Sequence, residues 1–181
     1  MKESFVIPDS FRIYPYYDHQ YTFDVDEKTE LHFYDDIVFL KSKKGGRPWL
    51  SFQEHAPRLM AEWKEKQPFL ENCYTKRDRK AAYDTMVNQS AKLLQTVFWL
   101  NERPVSSLTS LKDSVNSLDY LPVNFYERYS FIIQQPDHFH AYNQLKALFE
   151  EIEKLFVKVT IIKKKAMVKR RSFSFATAVI T

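Results

Sequence analysis

Lys76-Arg77-Asp78-Arg79-Lys80-Ala81-Ala82-Tyr83-Asp84-Thr85-Met86-Val87-Asn88-Gln89-Ser90-Ala91-Lys92-Leu93-Leu94-Gln95-Thr96-Val97-Phe98-Trp99-Leu100-Asn101 is the stretch whose reading decides the fold. Within it Ala82, Tyr83, Met86, Val87, Ser90, Leu93, Leu94, Val97 and Phe98 recur at steps of three and four, the spacing of one face of an α-helix. No glycine or proline interrupts the run, and Pro104 follows its end. Thr75 before it and Asp78 three residues on make a variant of the capping box. At about 1.5 Å per residue the predicted helix is roughly 40 Å long, enough to cross a domain.

Working outward, a second stripe follows downstream. Leu145, Leu148, Phe149, Ile152, Leu155, Phe156 and Val159 predict a last long helix capped by Asp137, with Lys163 to Lys165 suiting the negative end of its dipole. Asn124 and Glu127 predict the cap of a short helix carrying Tyr126, Tyr129 and Ile133, ended by Gln135-Pro136. Residues 105–121 read as a connection holding one short turn of helix. Upstream, Leu59, Met60 and Trp63 line a helix face; Pro57 is expected to open that helix or divide it in two, and Pro68 to stop it. Lys41 to Pro48, with Gly45-Gly46 inside, is a loop. Residues 28–40 favour helix, with 36–40 the one place where a buried strand is expected if any forms. Residues 1–25, dense in Phe and Tyr and punctuated by Pro8 and Pro15, read as an extended arm whose rings dock on the body. The expected fold is all-α: an irregular helical bundle with two long amphipathic helices and an aromatic-rich N-terminal arm (1–25), one helical domain (26–157), and the end of the last helix with a basic tail (158–181).

The 181 residues are 44% hydrophobic and 28% charged, which supports a packed core and excludes wholesale disorder. Two glycines, adjacent to each other, cannot build a phosphate loop or a dinucleotide fingerprint, and are too few for most small β-sandwiches. A lone cysteine, Cys73, excludes an internal disulfide and a Cys-rich zinc site. Phe5-Val6-Ile7 is cut off by Pro8-Asp9, so no signal peptide is read, and no run approaches the ~18 apolar residues of a spanning helix. A cytoplasmic protein is the expectation. The net charge of +4 is unevenly placed: residues 158–181 carry seven Lys/Arg and no acid, leaving the rest at −3. The basic end reads either as a solvated appendage or as a contact for an anionic partner, nucleic acid or membrane.

Two clusters stand out. Lys76, Arg77, Arg79 and Lys80 place four cations where a helix dipole prefers anions, which would suit a bound phosphate, a nucleic acid or an acidic partner; against that stands a solvated face paired with acids such as Glu71. Asn124, Glu127, Arg128, His138 and His140 form a polar cluster around the joint of the last two helices, read as capping and buried hydrogen bonds, with Arg128 bracing the joint through Glu127 or Asp137. His138 and His140 lie about 200° apart on a helix, so a metal would need His55, Glu54 or His32 from elsewhere. No metal or other cofactor is expected. Cys73 reads as inert unless Lys76 and Arg77 fold over it, and Asp35-Asp36 and Glu150-Glu151 as helix faces rather than acid–base pairs. Trp99 reads as core with its indole N–H satisfied.

Phe98-Trp99-Leu100-Asn101-x-x-Pro104-Val105, and Pro122-Val123-Asn124-x-x-Glu127-Arg128-x-Ser130-Phe131-Ile132 continuing as Pro136-x-His138-x-His140-x-Tyr142-x-Gln144-Leu145, resemble the YpoC-like family, small cytoplasmic proteins of Bacillus-type bacteria with no established activity. The resemblance covers roughly residues 75–157. It implies a helical cytoplasmic protein, and carries over no catalytic residues. Genes of that family tend to lie near those of DNA repair and replication, which the resemblance adds in favour of nucleic-acid metabolism.

The residues therefore point away from an enzyme and toward an adaptor or accessory factor contacting a protein partner, with DNA maintenance as its setting. Direct nucleic-acid binding through 76–80 and 163–171 is the alternative, and a metal- or His-dependent enzyme using His138 and His140 the second. A membrane partner is not expected, and the sequence leaves the oligomeric state open.

Overall fold

The computed structural model describes residues 4–20, 22–24 and 31–178. A short antiparallel pair, β1 (Ser4–Val6) and β2 (Thr22–Asp24), sets Phe5 opposite Phe23. Six α-helices follow among the described residues: α1 (Tyr34–Ser42), α2 (Phe52–Thr75), α3 (Arg79–Leu100), α4 (Leu111–Asn116), α5 (Phe125–Gln134) and α6 (Phe139–Ala178). The fold is all-α, as the periodicity predicted. The described strands lie at the N-terminal segment, and residues 36–40 are helical within α1.

The structure has a third long helix. Pro57 and Pro68 both lie inside α2, which neither divides at the first nor stops at the second. Each proline removes one i→i−4 hydrogen bond and crowds a carbonyl, at roughly 3 kcal/mol in an isolated helix. Packing offsets this: Ala56, Met60, Trp63, Leu70 and Cys73 are buried along the face that meets α3 and α6. Trp63 stacks on Phe149 of α6 with centroids 4.7 Å apart.

Between α2 and α3 the chain reverses within three residues. Arg77 takes a left-handed conformation (φ 58°), its N–H reaches the Tyr74 carbonyl (3.1 Å) and the Asp78 N–H reaches that of Cys73 (2.8 Å). This is a Schellman closure built on arginine instead of glycine. Asp78 itself then caps α3, accepting the Ala81 N–H at 3.0 Å. The predicted helix is therefore shorter at its start, and Thr75 belongs to α2.

From Gln89 to Leu100 every residue of α3 except Lys92 is buried, so α3 is the axis of the bundle rather than a one-faced helix. Several of its buried polar groups are partnered inside, while Gln89 Oε1 is buried without a hydrogen-bond partner. Asp36, read as part of a helix face, is fully buried and accepts Gln95 Nε2–H (2.8 Å), Trp99 Nε1–H (3.1 Å) and the Val105 N–H (2.8 Å). Asn101 donates to the Val97 and Tyr120 carbonyls and accepts the Tyr120 N–H, each at 2.8 Å. Ser90, Tyr16 and Tyr129 join hydroxyls in the core. In the N-terminal segment Ile7, Phe11, Tyr16 and Tyr17 are buried, and the Ser10 carbonyl accepts the Leu108 N–H at 2.8 Å.

Candidate functional site

Helix α5 buries Phe125, Tyr129 and Ile132, at steps of four and three. The opposite spacing, Asn124, Glu127, Arg128 and Phe131, is thereby turned outward along the seam with α6. These four residues and Gln144 of α6 line a groove of about 640 Å³. Asn124 enters α5 in a left-handed conformation (φ 53°) with no side-chain cap, so the anticipated Asn-x-x-Glu box does not form; the Asn124 carbonyl instead accepts the Arg128 N–H at 3.1 Å.

Arg128 does brace the joint, but not with Glu127 or Asp137. Its Nε–H donates to Gln144 Oε1 (2.9 Å) and its Nη1 to Glu151 Oε1 (2.8 Å), both on α6. The guanidinium is thus fixed at the groove by two partners on α6. Phe131 (40% exposed) and Val123 (75%) add apolar surface beside these polar walls. A phenyl ring, two carboxamides, a carboxylate and an already paired guanidinium offer hydrogen bonding and apolar contact; no nucleophile or acid–base pair is among them. Gln144 belongs to the polar run from Asp137 at the start of the last helix, which the sequence already marks, whereas Phe131 is not read from sequence as a site residue. Phe131 was within reach, because it stands four and three residues after Glu127 and Arg128 on one helical face.

His138 and His140 lie outside the lining of this groove. The His138 carbonyl accepts the Tyr142 N–H at the start of α6, its ring stands 3.9 Å from Asp137, and His140 is exposed. His55 lies roughly 28 Å along α2 from Tyr74, which packs on Phe139, so it cannot join them. His55 instead sets its ring against Trp99. His32 packs on Tyr16 and Tyr17, and desolvation with the nearby Lys92 charge lowers its pKa to about 4. Among the described residues no three His, Cys, Asp or Glu side chains gather as a metal would require.

The cationic cluster is divided between two helices. Lys76 and Arg77 close α2, where cations suit the dipole, so only Arg79 and Lys80 open α3. Arg79 donates from Nε (3.0 Å) and Nη2 (2.7 Å) to Asp137 Oδ2, tying α3 to the approach of α6. Asp137, anticipated as the cap of α6, is this ion-pair partner. Glu71 is engaged elsewhere: it accepts Tyr142 Oη–H (3.0 Å) and Lys146 Nζ (3.3 Å), which hold its carboxyl below the usual range. Cys73 is buried; desolvation pushes its thiol up, so the lysine nearby does not activate it. The second basic segment begins at Lys163, which pairs with Glu102 (2.5 Å) just past the end of α3. The two basic segments therefore stand at opposite ends of α3, roughly 33 Å apart.

Comparison with known proteins places similarity on this body. A family model described as "YpoC-like protein" matches residues 53–164, from α2 into α6 and including the groove. "Uncharacterized protein YpoC" of Bacillus subtilis (strain 168) is 28% identical over 120 residues, covering 66% of this chain and 73% of that protein. No solved structure matches.

Proposed function

The chain belongs to the YpoC-like family, and we propose from the site geometry that it is a non-enzymatic adaptor or accessory factor which holds a protein partner in the α5–α6 groove. The observation that carries this reading is the combination of a braced polar wall, Arg128 on Gln144 and Glu151, with exposed Phe131 and Val123 beside it. Interfaces use such a pairing, an apolar anchor next to fixed hydrogen-bonding groups. Its volume lies within the range of sites that hold one or two side chains or a small ligand. Direct nucleic-acid binding is the weaker reading: Arg79 and Lys163 already have acidic partners, and a duplex would need to bridge both ends of α3.

The test is site-specific cross-linking. A photo-reactive phenylalanine analogue at Phe131 is expected to trap a discrete protein adduct in cell extract, absent when the same analogue replaces the exposed Leu50 far along the chain. Glu127→Ala together with Asn124→Ala should weaken that adduct about tenfold, the loss of one to two interfacial hydrogen bonds. No adduct at Phe131, or the same adducts at both positions, would count against the proposal.

A further inference from the structure

Five of the twelve large apolar side chains left exposed among the described residues fall within one stretch of α6: Val157, Ile161, Ile162, Met167 and Val168. The same stretch carries Lys158, Lys163, Lys164, Lys165 and Lys169 and no acid. Val159 is fully buried, whereas residues 161–169 are exposed apart from Lys163, which leans back onto Glu102 and the Phe52 ring. Beyond Thr160 the helix runs on with its side chains up to Lys169 turned to solvent, Lys163 apart.

At about 100° per residue, Val157, Ile161 and Val168 fall within roughly 40° of one line, on the side of α6 away from Val159. Lys164 stands at one margin of that line, and Lys158, Lys165 and Lys169 at the other. Ile162 and Met167 lie off this line, and the strip of three apolar side chains, edged by one lysine on one side and three on the other, matches a phospholipid surface: the strip enters the boundary between headgroups and chains, and the lysines meet the phosphates. Nucleic acid would satisfy the cations but offers no apolar layer to the strip. The basic margins select anionic lipid. No helix among the described residues is long and apolar enough to cross a membrane, so the fit is to lying on one.

We propose that the outer face of α6 from Val157 to Lys169 docks on an anionic phospholipid bilayer. Spacing alone sets Val157, Ile161 and Val168 on the side of α6 opposite the buried stripe of Leu148, Ile152 and Val159; the structure adds that all three are exposed.

Full-length protein should co-sediment with vesicles of equal parts phosphatidylcholine and phosphatidylglycerol, and not with phosphatidylcholine alone. Added salt should weaken the binding. Lys164→Ala with Lys165→Ala should weaken it about fivefold per lysine. Val157→Ser with Ile161→Ser, both at exposed positions, should weaken it about tenfold while leaving binding to a DNA duplex, if any, unchanged. Leu50→Ser, an exposed apolar change elsewhere, should leave vesicle binding as it was. Absence of binding to the mixed vesicles at low salt would overturn the proposal. So would vesicle binding that the serine pair leaves untouched, since the segment would then be a plain polycation.

Discussion

Asp36 and Asp35 are adjacent acids in the first turn of α1, and each alone suits the positive end of a helix dipole. Only Asp36 faces the three donors from α3 and the following connection, so only it is buried. Asp36→Ala would strand Gln95, Trp99 and the Val105 N–H, at about 1–3 kcal/mol for each buried unmet donor, and is expected to lower stability by about 3 kcal/mol or more. Burial pushes the Asp36 carboxyl up to about 6 in spite of its three donors. A folded value above the unfolded 3.8 means that the folded state holds the proton more tightly. This contribution is fully present below about 4 and is lost as the pH rises through about 6. Stability relative to Asp36→Asn should therefore decline across that window and stay level above it, read from urea midpoints at a series of pH values. His32 runs the other way, its contribution present above 6.5 and lost as the pH falls through about 4, but it is common to both proteins and cancels. A flat difference would remove the assignment.

Helix ends in this chain are made without glycine. Lys43, Arg77 and Glu102 each take a left-handed conformation just past a helix, and at Glu102 the Trp99 and Phe98 carbonyls accept the Glu102 and Arg103 N–H groups as at Arg77. Side chains with a Cβ are strained there, which is why a search for glycine stops misplaces these boundaries. Arg77→Gly should raise stability by about 0.5–1 kcal/mol, the relief of that strain less the greater freedom of the unfolded chain, measured by urea denaturation. A loss on this substitution would mean that the Arg77 side chain contributes more than its backbone costs. The two prolines of α2 misled in the opposite sense: local geometry forbids them mid-helix, and the contacts of Trp63, Leu70 and Cys73 with α3 and α6 outweigh it. Gly45 is a genuine glycine position, at φ 96° with a Cβ there falling 2.9 Å from Val38.

Across the molecule, stability is expected to grade outward from α3. Its second half is buried apart from Lys92, while residues 161–169 of α6 are exposed apart from Lys163. Amide hydrogen exchange should be slowest in residues 89–100 and fastest, among the helices, in residues 161–169, because exposed backbone hydrogen bonds open locally without unfolding the core. Equal protection in both segments would show that α6 is covered in solution. The same gradient separates the two surfaces: the α5–α6 groove sits on the protected body, and the lysine-edged strip of α6 beyond it.

Helical class, the long run through Phe98, the amphipathic stripe from Leu145 to Val159 and the outward line of Asn124, Glu127 and Arg128 follow from residue spacing alone, because hydrophobic period is a local property of the chain. Partners do not. Arg128 finding Gln144 and Glu151, Arg79 finding Asp137, Trp99 finding Asp36, and α2 continuing through Pro57 and Pro68 depend on residues up to dozens of positions away. Each is settled by the balance between a local cost and the burial or hydrogen bonds that packing supplies. The tertiary structure alone decided which polar side chains were consumed in holding the bundle together and which were left exposed, because burial and long-range pairing are not local properties of the chain.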